Sequence, residues 1–114
     1  MLVMARAATT ADVFNAVAEP RRRQILDLLA QSELSVGELV TALGLAQPQV
    51  SKHLRVLREV GAVRSHDVGR VRVYALRPES LRPIQEWLDT YTRFWSERFD
   101  RLDTLLTELA EEDR

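Results

Sequence analysis

The stretch from Ala46 to Glu59 (AQPQVSKHLRVLRE) carries amide, hydroxyl and cationic side chains at helical spacing. Val50, Leu54 and Leu57 recur at i, i+4 and i+7 and form an apolar stripe. Gln49, Lys52, Arg55, Val56 and Glu59 fall well away from that stripe, with Ser51 and His53 flanking it. The chemistry these residues offer is recognition of nucleic acid. Glutamine pairs bidentately with adenine, and lysine donates to guanine O6 and N7. The N-terminal turns of a groove-reading helix come closest to base edges, so they need small or polar side chains, and Gln47, Gln49, Ser51 and Lys52 supply them. His53 is a further candidate contact, and Arg55, farther along, suits a phosphate. A second cationic group follows in Arg70 and Arg72, beside Asp67-Val68-Gly69-Arg70. Such arginines enter a minor groove or pair with phosphates. Arg64 and His66 are secondary candidates.

The elements that must hold these groups are legible on both sides. Ser35-Val36-Gly37-Glu38 spells a capping box, in which the Ser35 hydroxyl accepts the Glu38 amide and the Glu38 carboxylate accepts the Ser35 amide. It predicts a helix with Val36, Leu39, Val40 and Leu43 on its apolar side, stopped by Gly44. Leu45 points inward in the turn, and Pro48 suits the first turn of the helix that follows. Gly61 ends that helix. Ala62 to His66 and Val71 to Leu76 read as two strands of a hairpin, with Gly69 supplying positive φ at the tip. Upstream, Ala11 to Ala18 reads as a helix with Val13, Phe14 and Val17 as its apolar face and Thr9 or Thr10 as its cap. Pro20 opens a second helix with Ile25, Leu26, Leu28 and Leu29 buried. Arg21, Arg22 and Arg23 read as a solvated cationic face with local carboxylate partners.

Helix, tight turn, helix and basic hairpin in that order predict a mostly α fold with a small β-hairpin wing, a winged helix-turn-helix. The division expected is a single winged-helix domain over 1–114, with its core and wing over 11–78 and a long helix over 80–111. Ser80 is the expected cap of that helix, with Pro83 in its first turn. Leu81, Ile84, Leu88, Tyr91, Trp95, Leu102, Leu105 and Leu109 step by three and four along it, and Trp87, Phe94, Phe99 and Leu106 widen the stripe. Arg98 interrupts the pattern where an apolar residue was due. Five large rings are too many for a small monomer to hide, so the reading favours a homodimer through the terminal helices. Phe14, Leu81, Ile84, Trp87, Leu88, Tyr91, Trp95 and Leu102 are its expected interface. Packing against a twin sets two recognition helices roughly 34 to 36 Å apart, one DNA turn. The aromatics also leave room for a small-molecule effector of unknown identity.

Charge agrees with a nucleic-acid partner although the total does not. The net charge of the 114 residues is −1, but Ala46 to Arg77 holds seven basic residues against two acidic, a local +5. Glu97 to Arg114 holds seven acids against three arginines, a local −4. The positive field therefore centres on the two-helix motif and hairpin. The absence of cysteine removes disulfides and thiolate metal sites. No apolar run reaches membrane-spanning length, Met1 to Thr10 is too weakly apolar for a secretory signal, and a cytoplasmic address is expected. Enzyme chemistry lacks a phosphate-cradling glycine loop and any Ser-His-Asp arrangement. No cofactor is expected. The competing reading, from another class, is a winged-helix module that binds protein and not DNA; the basic wing argues against it.

From Phe14 to Leu76 the chain resembles the ArsR-type (arsenical-resistance repressor) winged-helix regulators. The matching pieces are FNAVAEPRRRQILDLL, ELSVGELVTALGLAQPQVSKHLRVLREVGAV and RVRVYAL, the most specific phrase being QVSKHLRVLREVGAV. The resemblance implies a homodimeric DNA-binding protein, usually a repressor, with the helix from Ala46 to Val60 in the major groove of double-stranded DNA. Gln47, Gln49, Ser51 and Lys52 match positions used for DNA contact in such proteins. It departs from the family's metal sensors. Ser35 and Gly37 stand where those sensors often place cysteines, and no histidine follows His66, so a metal-independent branch is implied and no metal ligand is assigned. Ala46 and Gln47 are poor helix caps, which suggests that the amides there are left for a DNA phosphate. Replacing Gln47 by Ser is then expected to stabilise the free protein and weaken operator binding.

Overall fold

The computed structural model describes residues 12–112. The chain divides at Arg82 and Pro83 into two compact units, a helical body with a small sheet and a long helix.

In the body, α1 (Val13–Ala18) begins two residues later than the sequence suggests. Asp12 is its cap, its Oδ1 accepting the Asn15 amide at 2.7 Å; Thr9 and Thr10 lie outside the described residues. Ala16, fully buried, takes the place on the apolar face that was expected of Phe14, and Phe14 is 41% exposed. Helix α2 (Pro20–Leu29) starts on Pro20 with the Glu19 carboxylate accepting the Arg22 amide. Ile25, Leu26 and Leu29 are buried, and Leu28 packs against them. Arg22 and Arg23 are not a face paired with carboxylates. Arg22 Nε donates to the Ala16 carbonyl at 2.6 Å and Arg23 Nη1 to that of Val17 at 2.7 Å. They satisfy the orphan carbonyls at the end of α1, which carry the negative end of its dipole.

Strand β1 (Leu34–Ser35) precedes α3 (Val36–Leu43), whose capping box forms as expected, with bonds of 3.2 and 3.0 Å. Gly44 ends α3 at φ 66°, a left-handed conformation that costs other residues steric strain. Helix α4 (Gln47–Glu59) buries Val50, Leu54 and Leu57 almost completely. Each such burial is worth about 1.5 to 3 kcal/mol, so the stripe fixes which side of α4 stays in water. Val56, expected on the outer side, instead packs against the core. A Schellman turn closes the helix: Gly61, at φ 79°, donates to the Arg58 carbonyl at 3.1 Å and Ala62 to that of Leu57 at 2.8 Å.

Strands β2 (Val63–Val68) and β3 (Val71–Leu76) pair antiparallel from Val63 with Leu76 to Val68 with Val71. Asp67 and Val68, expected in the tip, belong to β2, and the turn is only Gly69 and Arg70. The short β1 adds to the other side of β3, Leu34 opposite Tyr74 and Ser35 opposite Val73, giving the sheet order β1-β3-β2. Tyr74 and Ala75 are both buried, so the alternation of β3 breaks near its end as it enters the core. A 3-10 turn, Pro78–Leu81, follows, and Leu81 packs against the core. Ser80 does not cap the last helix; its hydroxyl donates to the Arg77 carbonyl at 2.7 Å.

The second unit is α5 (Arg82–Glu112), 31 residues long with none of them buried. Ile84 and Leu88 are half-buried, and Tyr91, Trp95 and Leu102 are 44 to 50% exposed. Trp87 and Tyr91, one turn apart, meet edge to face at 5.6 Å.

Candidate nucleic-acid interface

Helix α4 offers its polar side through a simple division of labour. The buried stripe points one way, and Gln47, Gln49, Lys52 and Arg55 are exposed on the other, with Ser51 half-buried beside them. The start of the helix is organised by its own residues. The cap is Ala46, which has no side chain able to accept an amide. Gln49 Oε1 turns back to accept the Ala46 amide at 3.3 Å, and the Gln49 amide donates to the Ala46 carbonyl at 3.0 Å. Pro48 has no amide. The set of amides available to a phosphate is therefore smaller than the sequence suggests, and reduces to that of Gln47 in the first turn. The Gln49 side chain, held through its oxygen, presents its NH2 group as a donor.

His53 sits elsewhere. Its side chain is only 18% exposed, and its Nε2 lies 3.9 Å from the Glu19 carboxylate at the start of α2. Its Nδ1 is buried without a hydrogen-bond partner. The reason is angular: a residue three after Val50 and one before Leu54 lies close enough to the stripe to be drawn into the body. His53 belongs to the contact between α4 and α2, and this placement withdraws it from the groove-facing set.

The wing presents a different surface. Arg70 is exposed in the two-residue turn, where Gly69 at φ 65° permits the reversal. Arg72 lies 3.7 Å from Asp67, its cross-strand neighbour, in an exposed pair that contributes little stability. Arg64 contacts His66 Nδ1 at 3.4 Å, and His66 Nε2 lies 3.3 Å from Glu33, so both are engaged along the sheet. At the base of the hairpin Arg77 donates to Glu79 at 3.1 Å. The Glu79 carboxyl is held below its ordinary pKa by its own backbone amide first and by Arg77 second. Sequence reasoning missed an apolar pair at the tip, Val68 and Val71, which face each other across the strands and are 58% and 52% exposed. Their signal was the alternation of β3, which sets Val71 in line with Val73 but beyond the reach of the core.

Among the described residues no three histidine, cysteine or carboxylate side chains gather where a metal ion could be held. Among the same residues no helix is long and apolar enough to cross a membrane.

Comparison with known proteins agrees with this geometry. The family model for bacterial regulatory proteins of the arsR family matches residues 19–65, from the cap of α2 into β2. The transcriptional repressor SdpR of Bacillus subtilis is 30% identical over 77 residues, 68% of this chain and 86% of that protein. An HTH-type transcriptional regulator of Mycobacterium tuberculosis is 40% identical over 83 residues, 73% of this chain and 75% of that protein. Among solved structures, an ArsR-like transcriptional regulator from a Rhodococcus species matches with a TM-score of 0.65 at 28% identity, covering 89% of this chain and 95% of that one. With the capped α3, the stripe of α4 and the hairpin after it, these matches place the chain in the ArsR family of bacterial transcriptional regulators.

Proposed function

We propose that this chain is a sequence-specific DNA-binding transcriptional regulator that acts as a homodimeric repressor in the cytoplasm, occupying its operator and so excluding polymerase. The observation that carries the reading is α4: three fully buried apolar residues hold it rigidly, and Gln47, Gln49, Lys52 and Arg55 stand exposed on its other side. Gln49 and Lys52 are the base-reading pair, with Gln47 and Ser51 beside them. Arg55 and the wing arginines Arg70 and Arg72 take phosphates or the flanking minor groove. The exposed apolar side of α5 is the dimer surface, and Phe14, in the body, is a further dimer contact. A symmetric pair reads a two-fold site, because half-site symmetry mirrors protein symmetry. Regulation does not pass through cysteine-bound metal, since the positions at Ser35 and Gly37 carry no thiolate.

The test is selection of bound fragments from random duplex DNA at several salt concentrations. The proposal expects enrichment of an inverted repeat and binding that weakens steeply with salt. Recovery of no motif, with retention of protein partners instead, would assign the chain to the protein-binding class.

A further inference from the structure

The large apolar residues of α5 are arranged as their own mirror image. Eleven lie along the helix, and reflection about the point between Ser96 and Glu97 carries ten of them onto one another. Leu88 falls on Leu105, Tyr91 on Leu102 and Phe94 on Phe99, and the outer pairs continue the pattern. The eleventh, Trp95, falls on Arg98. In an antiparallel pair of identical helices, reflected positions lie at the same height across the interface. Arg98 thus acquires a place in a pattern it otherwise breaks. Among the described residues no carboxylate lies within ion-pair reach of it, although it sits within the stripe between Trp95 and Leu102.

We propose that Arg98 selects the partner and the register of this surface: a second copy of the chain, its helix antiparallel, with the Arg98 guanidinium against the partner's Trp95. This deepens the homodimer reading above and rests on it. The exposed area suits a second copy. The exposed stripe residues of α5 from Trp87 to Leu109 retain 44 to 66% of their surface. At roughly 100 Å² each, about half of what a large side chain buries, they offer on the order of 1,000 Å² per copy, and a stable interface takes about 800 Å² per partner. Charge selects the direction. Parallel pairing sets Arg98 against Arg98 and the acid-rich end, with Glu108, Glu111 and Glu112, against its twin. Antiparallel pairing sets Glu111 level with the partner's Arg82, its reflected position, and opposes the helix dipoles. Arginine over an indole face is a favourable contact, whereas arginine against leucine is an unpaired charge taken out of water. Sliding the pair by one heptad sets Arg98 against the partner's Leu88 or Leu102, so slipped registers are penalised, as a single polar core residue penalises them in coiled coils.

The chain has no cysteine, so introduced thiols report alone. The full chain carrying Leu88→Cys and Leu105→Cys is oxidised and its linked peptides are mapped. The account expects position 88 joined to position 105 of the other copy; a Tyr91→Cys, Leu102→Cys variant gives the same pattern one layer inward if the first folds poorly. Links of 88 to 88 and 105 to 105, or a dimer with no links, would overturn the antiparallel register. Light scattering of the unmodified chain decides the dimer itself, so a monomeric mass sinks the underlying reading separately. Adding Arg98→Leu is expected to keep the dimer and spread the links into slipped registers. An unchanged link map would remove the role assigned to Arg98.

Discussion

Under the proposed function Gln49 and Arg70 carry different kinds of information, and their replacement separates them. Gln49 presents an NH2 donor at the exposed start of α4 while its oxygen is held by the Ala46 amide. Gln49→Ala is expected to cost about 1 to 3 kcal/mol on the best site and to relax preference at one base pair. Arg70 stands exposed in the wing turn, where the proposal gives it a phosphate. Arg70→Ala is expected to weaken all duplexes alike and to lower the salt slope by about 1. Binding measured on a panel of single-base variants distinguishes the two; equal losses on every duplex for both would erase the division. His53 makes a third case. Its ring lies against Glu19 and is largely covered, so His53→Ala is expected to destabilise the fold by roughly 1 kcal/mol in denaturant unfolding and to leave base preference unchanged. A shift in preference would return His53 to the groove.

At the scale of elements, the start of α4 is open to a direct test. Ala46 is the cap residue, and its extended backbone, φ −69° and ψ 146°, already suits a capping side chain. Ala46→Ser, and not a change at Gln47, is therefore the informative substitution. It is expected to stabilise the free protein by about 0.5 to 1 kcal/mol, its hydroxyl accepting the Gln49 backbone amide, and to leave DNA binding unchanged, because the Gln47 amide stays free for a phosphate. Thermal unfolding and duplex titration of the same preparation check both halves. The elements that the sequence made legible are those whose causes are local. The Ser35 box, the Gly44 and Gly61 stops, the stripe of α4 and the hairpin all follow from residues within a few positions of each other. What was not legible depends on distant partners. Leu34 and Ser35 become a strand only because Val73 and Tyr74 return beside them. Arg22 and Arg23 grip the end of α1 only because the bend at Glu19 and Pro20 brings its carbonyls within reach. The place expected of Phe14 on the core face of α1 goes to Ala16, which is too small to stand out in a hydropathy pattern but fits the close approach of α1 to the core.

On the scale of the whole molecule, the chain separates two kinds of surface along its length. The stretch from Ala46 to Arg77 is net positive and displays hydrogen-bonding groups; the stretch after Glu97 is net negative and displays apolar ones. A nearly neutral total hides a strong asymmetry, and only the local balance points to the partner. The candidate interface was legible because residue type and helical spacing place most of it. Its outer boundary was not, since the burial of His53 and the exposure of Val68 and Val71 depend on where the core ends. The central claim, that α4 and the wing hold duplex DNA, is tested most directly by fluorescence anisotropy of a selected duplex titrated with the full chain across a salt series. The account predicts saturation at two chains per duplex, with affinity falling about a thousandfold between roughly 50 and 200 mM salt as counterions are released. Absence of binding in dilute buffer, or an affinity indifferent to salt, would contradict it.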